Sequence, residues 1–269
     1  MNNPLSYSSL KLELFSKDGS RLKSASGFVL EAGAKYYLIT NWHVLSGEDV
    51  SPSARQEPVM KPHALKIAVH TYAGQGEKSA PLSRGLRKRV TVQLYDDNDA
   101  PRWRERRSDE QYQPMVDVVA LPIEPETDLR NLFAWQFEGK NITNTDTRVK
   151  TSAIPISTID INEEYVPPDT VHIIGYPLGW APTGADKTST AFWRTSSIAS
   201  ERYEIGRTPN VFFIDPPALE GMTGSPVIGL KNDRVKLLGV YSDSSTAEFG
   251  ASAGLVWDAL LLKELIGAS

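Results

Sequence analysis

Three stretches of this 269-residue chain carry side chains that could do chemistry together. Asn41-Trp42-His43-Val44 holds a histidine, and Val116-Asp117-Val118-Val119-Ala120 holds an aspartate 74 residues further on. Gly221-Met222-Thr223-Gly224-Ser225-Pro226-Val227 holds two hydroxyls in a glycine-rich loop that leads into an apolar run. A hydroxyl attacks a carbonyl slowly unless it loses its proton as it attacks. An imidazole near neutrality can take that proton and return it to the leaving group. A carboxylate beside the imidazole orients it and stabilises its charged form. Histidine, aspartate and hydroxyl, in that chain order, therefore suit nucleophilic acyl transfer. An ionised carboxylate in so apolar a run is costly unless paired, which makes Asp117 the candidate partner of His43. Either Thr223 or Ser225 could supply the hydroxyl.

Those residues need a frame. Leu10, Leu12 and Leu14 alternate with Lys11 and Glu13, the pattern of a half-buried strand. Asp18-Gly19-Ser20 signals a turn. Residues 26–30 and 36–40 form a hairpin around Ala32-Gly33-Ala34-Lys35 that runs straight into Asn41-Trp42-His43, with a helical turn expected at 43–45. Residues 64–72 and 90–95 read as strands, and 95–113 as a loop extension. Residues 116–123 read as a buried strand with one polar member. Residues 129–135 are a short helix or loop, and 145–169 a linker-like stretch rich in Ser, Thr, Asp, Asn and Pro. Further strands are expected at 171–177, 191–198, 211–214, 227–230, 235–241 and 254–256, with a hairpin turn at Asn232-Asp233. Residues 257–266 are apolar at helical spacing and predict a C-terminal helix. Many short strands with one late helix give an all-β class. No internal repeat, phosphate-binding glycine loop or metal-binding helix motif is present.

With these motifs in place, the chain resembles the trypsin-like (chymotrypsin-fold) serine peptidases of the cysteine-free bacterial type. The resemblance implies two six-stranded antiparallel β-barrels and a short C-terminal helix, forming a single peptidase domain over 1–269. The first barrel would cover about 1–140, with an insert near 50–113, and the second barrel and helix about 141–269. The site would lie in the cleft between them, with His43 as general base and Asp117 orienting it. The family's nucleophilic serine position is occupied by Thr223, while Gly221, Gly224, Ser225 and Pro226 match the motif. Threonine keeps the hydroxyl but adds a methyl that restricts χ1 and crowds the point of attack. Threonine nucleophiles elsewhere typically use their own N-terminal amine as base, which an internal Thr223 cannot do. Three readings stay open: a slow or specialised threonine peptidase, an inactive fold serving as a protein-binding module, or Ser225 acting instead. By position, the oxyanion donors would be the amides of Gly221 and Thr223. Pro217 and Ala218 would floor the substrate pocket, and Tyr241, Ser242 and Asp243 would wall it, with Ser242 also reaching Asp117. No acidic residue stands at the floor, which argues against a Lys or Arg preference; Asp243 is the one charge that could change this. The resemblance implies no metal or organic cofactor. It implies a polypeptide substrate or protein partner, and bacterial relatives often work within multi-protein systems.

Composition narrows the partners. A net charge of −4 gives no general attraction to nucleic acid or anionic membrane. The absence of cysteine excludes disulfides and thiolate metal sites. No basic segment followed by an apolar run opens the chain, and no stretch approaches the roughly 18 apolar residues of a membrane span; a cytoplasmic location is the expectation. Two basic runs, Arg84, Arg87, Lys88, Arg89 and Arg102, Arg104, Arg106, Arg107 with Trp103 interleaved, have the make-up of a nucleic-acid patch. Asp96, Asp97, Asp99 and Glu105 dilute their field, and solvated hairpin faces are the commoner meaning. His63, His70 and His172 are given no site role.

Overall fold

The strands of this protein read as apolar runs because many of them bury both faces. A computed structural model describes residues 4–48, 61–72, 85–106, 116–123, 153–159, 165–180, 190–205, 208–231, 234–242 and 253–267. In the first half lie β1 (Ser9–Phe15), β2 (Arg21–Ala32), β3 (Lys35–Thr40), α1 (Trp42–Ser46), β4 (Ala64–Tyr72), β5 (Gly85–Gln93), β6 (Arg104–Glu105), β7 (Val119–Ile123) and β8 (Ile154–Pro155). They form one sheet in the order β5-β4-β1-β2-β3-β7-β6, antiparallel throughout, with β8 added parallel to β2. The second half holds β9 (Thr170–Gly175), β10 (Phe192–Ile198), β11 (Tyr203–Ile205), β12 (Thr208–Asp215), β13 (Pro226–Lys231), β14 (Arg234–Ser242), β15 (Gly254–Asp258) and α2 (Leu260–Ile266). Its order is β10-β9-β13-β14-β15-β12-β11, and pairing of β10 with β12 closes six of these strands into a barrel. The all-β expectation holds. Among the described residues the first sheet is curled but unclosed, a half-barrel beside a full one.

Strand periodicity divides the side chains between three cores. On β2, Val29 faces the interior of the first sheet with Leu12, Leu14 and Leu38. Phe28 and Leu30 face the other way, into a cluster shared with Ile174, Ile228, Val240 and Trp257 of the second barrel. β7 and the residue before it repeat the division: Val119, Leu121 and Ile123 point inward, while Val118 and Ala120 face the partner barrel. The second barrel keeps its own interior of Val171, Ile173, Phe212, Val227, Tyr241 and Val256. Each fully buried large side chain of this kind is worth roughly 1.5–3 kcal/mol, and the shared cluster joins the two halves along an apolar seam.

Several boundaries differ from the sequence reading. The strand expected from 116 begins at Val119, because the Asp117 carbonyl accepts the Asn41 side-chain amide at 2.6 Å rather than a ladder hydrogen bond. Ile154–Pro155, inside the stretch read as a linker, pairs with β2 and buries Ile154 completely. β5 starts at Gly85 rather than 90, and β6 and β11 are short additions that no run of apolar residues announces. Trp257 and Asp258 complete β15, so α2 starts at Leu260, where the Asp258 carboxylate accepts the Leu260 N–H at 2.8 Å. Residues 129–135 and the turn at Asn232-Asp233 lie outside the described residues.

Candidate active site

The β2–β3 hairpin delivers the chain into α1, a helix of five residues. The first amides of a helix have no partner within it. Here the His43 N–H is taken by Asp117 Oδ1 at 3.0 Å. The same carboxylate holds the imidazole: Nδ1 lies 2.9 Å from Oδ1 and 2.8 Å from Oδ2. Ser242, at the end of β14 in the second barrel, donates its hydroxyl to Oδ2 at 2.9 Å. Asp117 is almost fully buried, its side chain 3% exposed, against 25% for His43. A carboxylate only accepts, so Nδ1 carries a proton, and in the neutral ring the lone pair is left on Nε2. This is the arrangement a general base needs, anchored by one residue to its helix, its ring and the opposite barrel. The expected Ser242–Asp117 hydrogen bond is present.

The glycine loop reaches the same place from the other side. Gly221 and Gly224 have φ of 85° and 88°, values that side chains other than glycine's rarely tolerate. Each is also a close approach. A Cβ on Gly224 would stand 2.1 Å from the Ser26 carbonyl oxygen and 2.3 Å from Thr40 Oγ1, three residues before His43. A Cβ on Gly221 would stand 2.6 Å from the Leu178 nitrogen. Further ties fix the loop: Ser26 N–H donates to the Thr223 carbonyl at 3.0 Å, and Gly224 N–H to the Tyr241 carbonyl at 2.9 Å. The Thr223 loop, His43 and Asp117 are thus brought to one seam between the barrels. No hydrogen bond joins the Thr223 hydroxyl to the imidazole among the described residues.

Of the two candidate hydroxyls, Thr223 is 8% exposed and Ser225 is 0%. Ser225 Oγ is buried without a hydrogen-bond partner and faces Gly175, where a Cβ would meet it at 2.0 Å. That explains the glycine of Gly175-Tyr176-Pro177 and leaves Thr223 as the hydroxyl on the open side. The amides of Gly221 and Thr223 donate to no other described residue, whereas those of Met222, Gly224 and Ser225 are all engaged. Two free N–H groups two residues apart in a glycine turn are the donor pattern that binds a developing negative charge.

Pro217, Ala218, Tyr241 and Ser242 also gather here. Tyr241 is fully buried; its hydroxyl lies 3.4 Å from the Ala218 carbonyl, and its ring edge fills the place a Cβ on Gly254 would take, at 2.6 Å. Asp243 lies outside the described residues. Three large apolar side chains stand out at the surface nearby: Leu178, held beside Gly221 with φ of 50°, is 73% exposed, Trp180 61% and Leu219 49%. A cavity of about 630 Å³ sits elsewhere, on the first sheet, lined by Phe15, His63, Thr91, Tyr95 and Asp96 among others.

The remaining candidates are spent on structure. His63 packs edge-on to Tyr95, whose phenol is pushed up to about 12 by burial and then by Asp99. His172 meets Thr195 Oγ1 at 3.2 Å, and burial lowers its pKa. Trp103 is buried and donates to Glu105, Arg104 donates to the Ile266 carbonyl at 3.0 Å, and Arg106 pairs with Glu264 at 3.0 Å. Arg104 and Arg106 of the second basic run are therefore committed within the chain, while Arg102 is exposed. Of the first, only the backbone of 85–89 is described, in β5; Arg84 and Arg107 lie outside the described residues.

Sequence reasoning missed three contributors. Asn41 holds the Asp117 carbonyl. Glu105 Oε2 accepts the indole N–H groups of both Trp42, at 2.9 Å, and Trp103, at 2.8 Å, steadying the residue next to His43. Ser26 bonds the glycine loop from β2. The signal for Asn41 was its place beside the histidine; single hydroxyls and carboxylates such as Ser26 and Glu105 give none.

No family model matches the chain, and no curated protein matches it in sequence. Among solved structures it is similar to Rv3671c of M. tuberculosis H37Rv. A serine-to-alanine variant in an inactive form has 17% identity and a TM-score of 0.48 over 97% of this chain and 86% of that one. The Rv3671c protease in its inactive form gives 18% and 0.48 over 97% and 88%. Its active form gives 18% and 0.47 over 98% and 82%.

Proposed function

We propose that this protein is a trypsin-like endopeptidase that cleaves peptide bonds by acyl transfer, with Thr223 in place of the usual serine. The observation that carries the reading is the Asp117 carboxylate: it holds His43 Nδ1 at 2.8 Å while Ser242 holds it from the other barrel at 2.9 Å. Asp117 keeps the imidazole in the tautomer whose Nε2 accepts a proton. His43 takes the proton of the Thr223 hydroxyl as its oxygen attacks the carbonyl carbon. The amides of Gly221 and Thr223 receive the negative charge on the carbonyl oxygen. His43 then returns the proton to the leaving amine, and water hydrolyses the threonine ester by the same route. The ring of Tyr241 between Ala218 and Gly254 supports a preference for a small side chain before the cleaved bond.

The test is a fluorophosphonate probe with the adduct mapped by mass spectrometry. Labelling of Thr223 that disappears in His43→Ala is expected; labelling elsewhere, or labelling indifferent to His43, sinks the reading. One observation favours a second reading. The Thr223 hydroxyl makes no hydrogen bond to the imidazole, as in a peptidase fold retained as a protein-binding module. Thr223→Ser separates the two: a large gain in labelling means an intact site with a handicapped nucleophile, and an inert Thr223→Ser chain favours the binding module.

A further inference from the structure

We infer that the Ser26 hydroxyl is a positioning residue that aims the Gly221 amide into the site. The inference rests on the reading above that the Gly221 and Thr223 amides bind the oxyanion. Ser26 lies on β2, in the barrel opposite to the glycine loop, and is fully buried. Its hydroxyl donates to the Gly221 carbonyl at 3.0 Å and accepts the Tyr176 N–H at 2.9 Å. Its own N–H donates to the Thr223 carbonyl, and its carbonyl accepts the Thr40 hydroxyl at 2.9 Å.

The geometry around Gly221 gives those bonds their meaning. The Gly221 N–H belongs to the planar peptide that carries the Glu220 carbonyl, and it points opposite to that oxygen. The oxygen is held by the Leu178 N–H at 2.7 Å. The next peptide, Gly221-Met222, is held through its oxygen by Ser26 and through its N–H by the Leu219 carbonyl at 3.0 Å. Between two pinned planes, a glycine that could otherwise rotate cheaply keeps one orientation. Without the Ser26 hydroxyl, the Gly221 carbonyl loses the described donor that spans the seam. Of these two ties the Gly221-Met222 plane then keeps only the Leu219 hydrogen bond, so it is held at one end rather than two and the adjoining N–H is aimed less sharply. Ser26 touches no substrate in this scheme; it acts through Gly221.

Two measurements on the full chain test this in Ser26→Ala, with Ser26→Cys as a second variant that keeps the side-chain size but bonds weakly. Gly221-Met222 is the sole Gly-Met pair in the sequence, so carbonyl-¹³C glycine with ¹⁵N methionine isolates the Gly221 carbonyl resonance. That resonance should move in both variants. The maximal fluorophosphonate labelling rate at Thr223 should fall about 10- to 100-fold, while the probe concentration for half-maximal rate stays unchanged. A merely structural role would not split the two constants in this way. An unmoved carbonyl resonance, or a wild-type labelling rate in both folded variants, overturns the proposal and leaves the peptidase reading standing. If neither the wild type nor Thr223→Ser is labelled, the peptidase reading fails. The carbonyl resonance then decides alone whether Ser26 holds the loop.

Discussion

Two of the polar seams along which the halves of the molecule meet are built on opposite principles. At the candidate site the seam is buried and made of hydroxyls, one carboxylate and backbone: Ser242 to Asp117, Ser26 to Gly221, and Gly224 against Thr40. At the C-terminal helix the seam is exposed and made of long charged side chains: Arg106 to Glu264, with side chains 42% and 56% exposed. Short groups in a dry seam have one geometry and lose heavily when it changes. Long charged groups in water have many, and lose little. The contrast teaches which seam sets the position of the candidate site's atoms and which merely helps the halves adhere.

The largest break of that contrast is Asp117→Asn. The amide would favour the wrong imidazole tautomer and leave Nε2 without its lone pair. Labelling of Thr223 should fall on the order of 10³–10⁴-fold. Measured as a labelling rate at constant fold, a loss under tenfold would mean that Asp117 is only a helix anchor.

Gly224→Ala comes next, read as stability. The residue has φ of 88°, and a Cβ would lie 2.1 Å from a backbone oxygen that cannot step aside. A loss of about 3–5 kcal/mol is expected, or a melting temperature lower by roughly 10 °C. A melt within about 2 °C of wild type would show that the buried seam yields easily, and the contrast would fail. Ser242→Ala should be milder, because Asp117 keeps His43 as donor. One charged hydrogen bond lost from a buried carboxylate costs about 1.5–3 kcal/mol. Thermal melts and labelling rates should both register it.

The sequence makes the barrels legible, and the reason is visible in β2 and β7. Both faces of Phe28-Val29-Leu30 and of Val118-Val119-Ala120-Leu121 are buried, so they stand out as apolar runs. β6 and β8 were invisible because two-residue strands have no period to read. Residues 116–118 looked like strand because burial, not pairing, sets their composition; Asn41 takes the carbonyl instead. Within the site, His43 and Asp117 were legible from motif and chain order, and Ser242 only from its position in the family resemblance. Ser26 was not, because a serine in a strand gives no sign of what its hydroxyl reaches 195 residues away. The burial of Tyr241 in the second core was hidden for a related reason: a wall residue and a core residue have the same letter.

The smallest expected effect comes from the helix seam, and it bounds the contrast from below. Arg106→Ala, Glu264→Ala and the double variant form a cycle that isolates the pair from its surroundings. Both side chains are well exposed, so the coupling should be about 0.2–1 kcal/mol and should shrink as salt is added. Thr223 labelling should stay at the wild-type rate in all three variants, since neither residue touches the glycine loop or the imidazole. A coupling above about 2 kcal/mol, or a labelling rate that falls with the pair, would put the helix seam in the same class as the buried one. The placement of the site would then depend on both edges of the interface rather than on the buried edge alone.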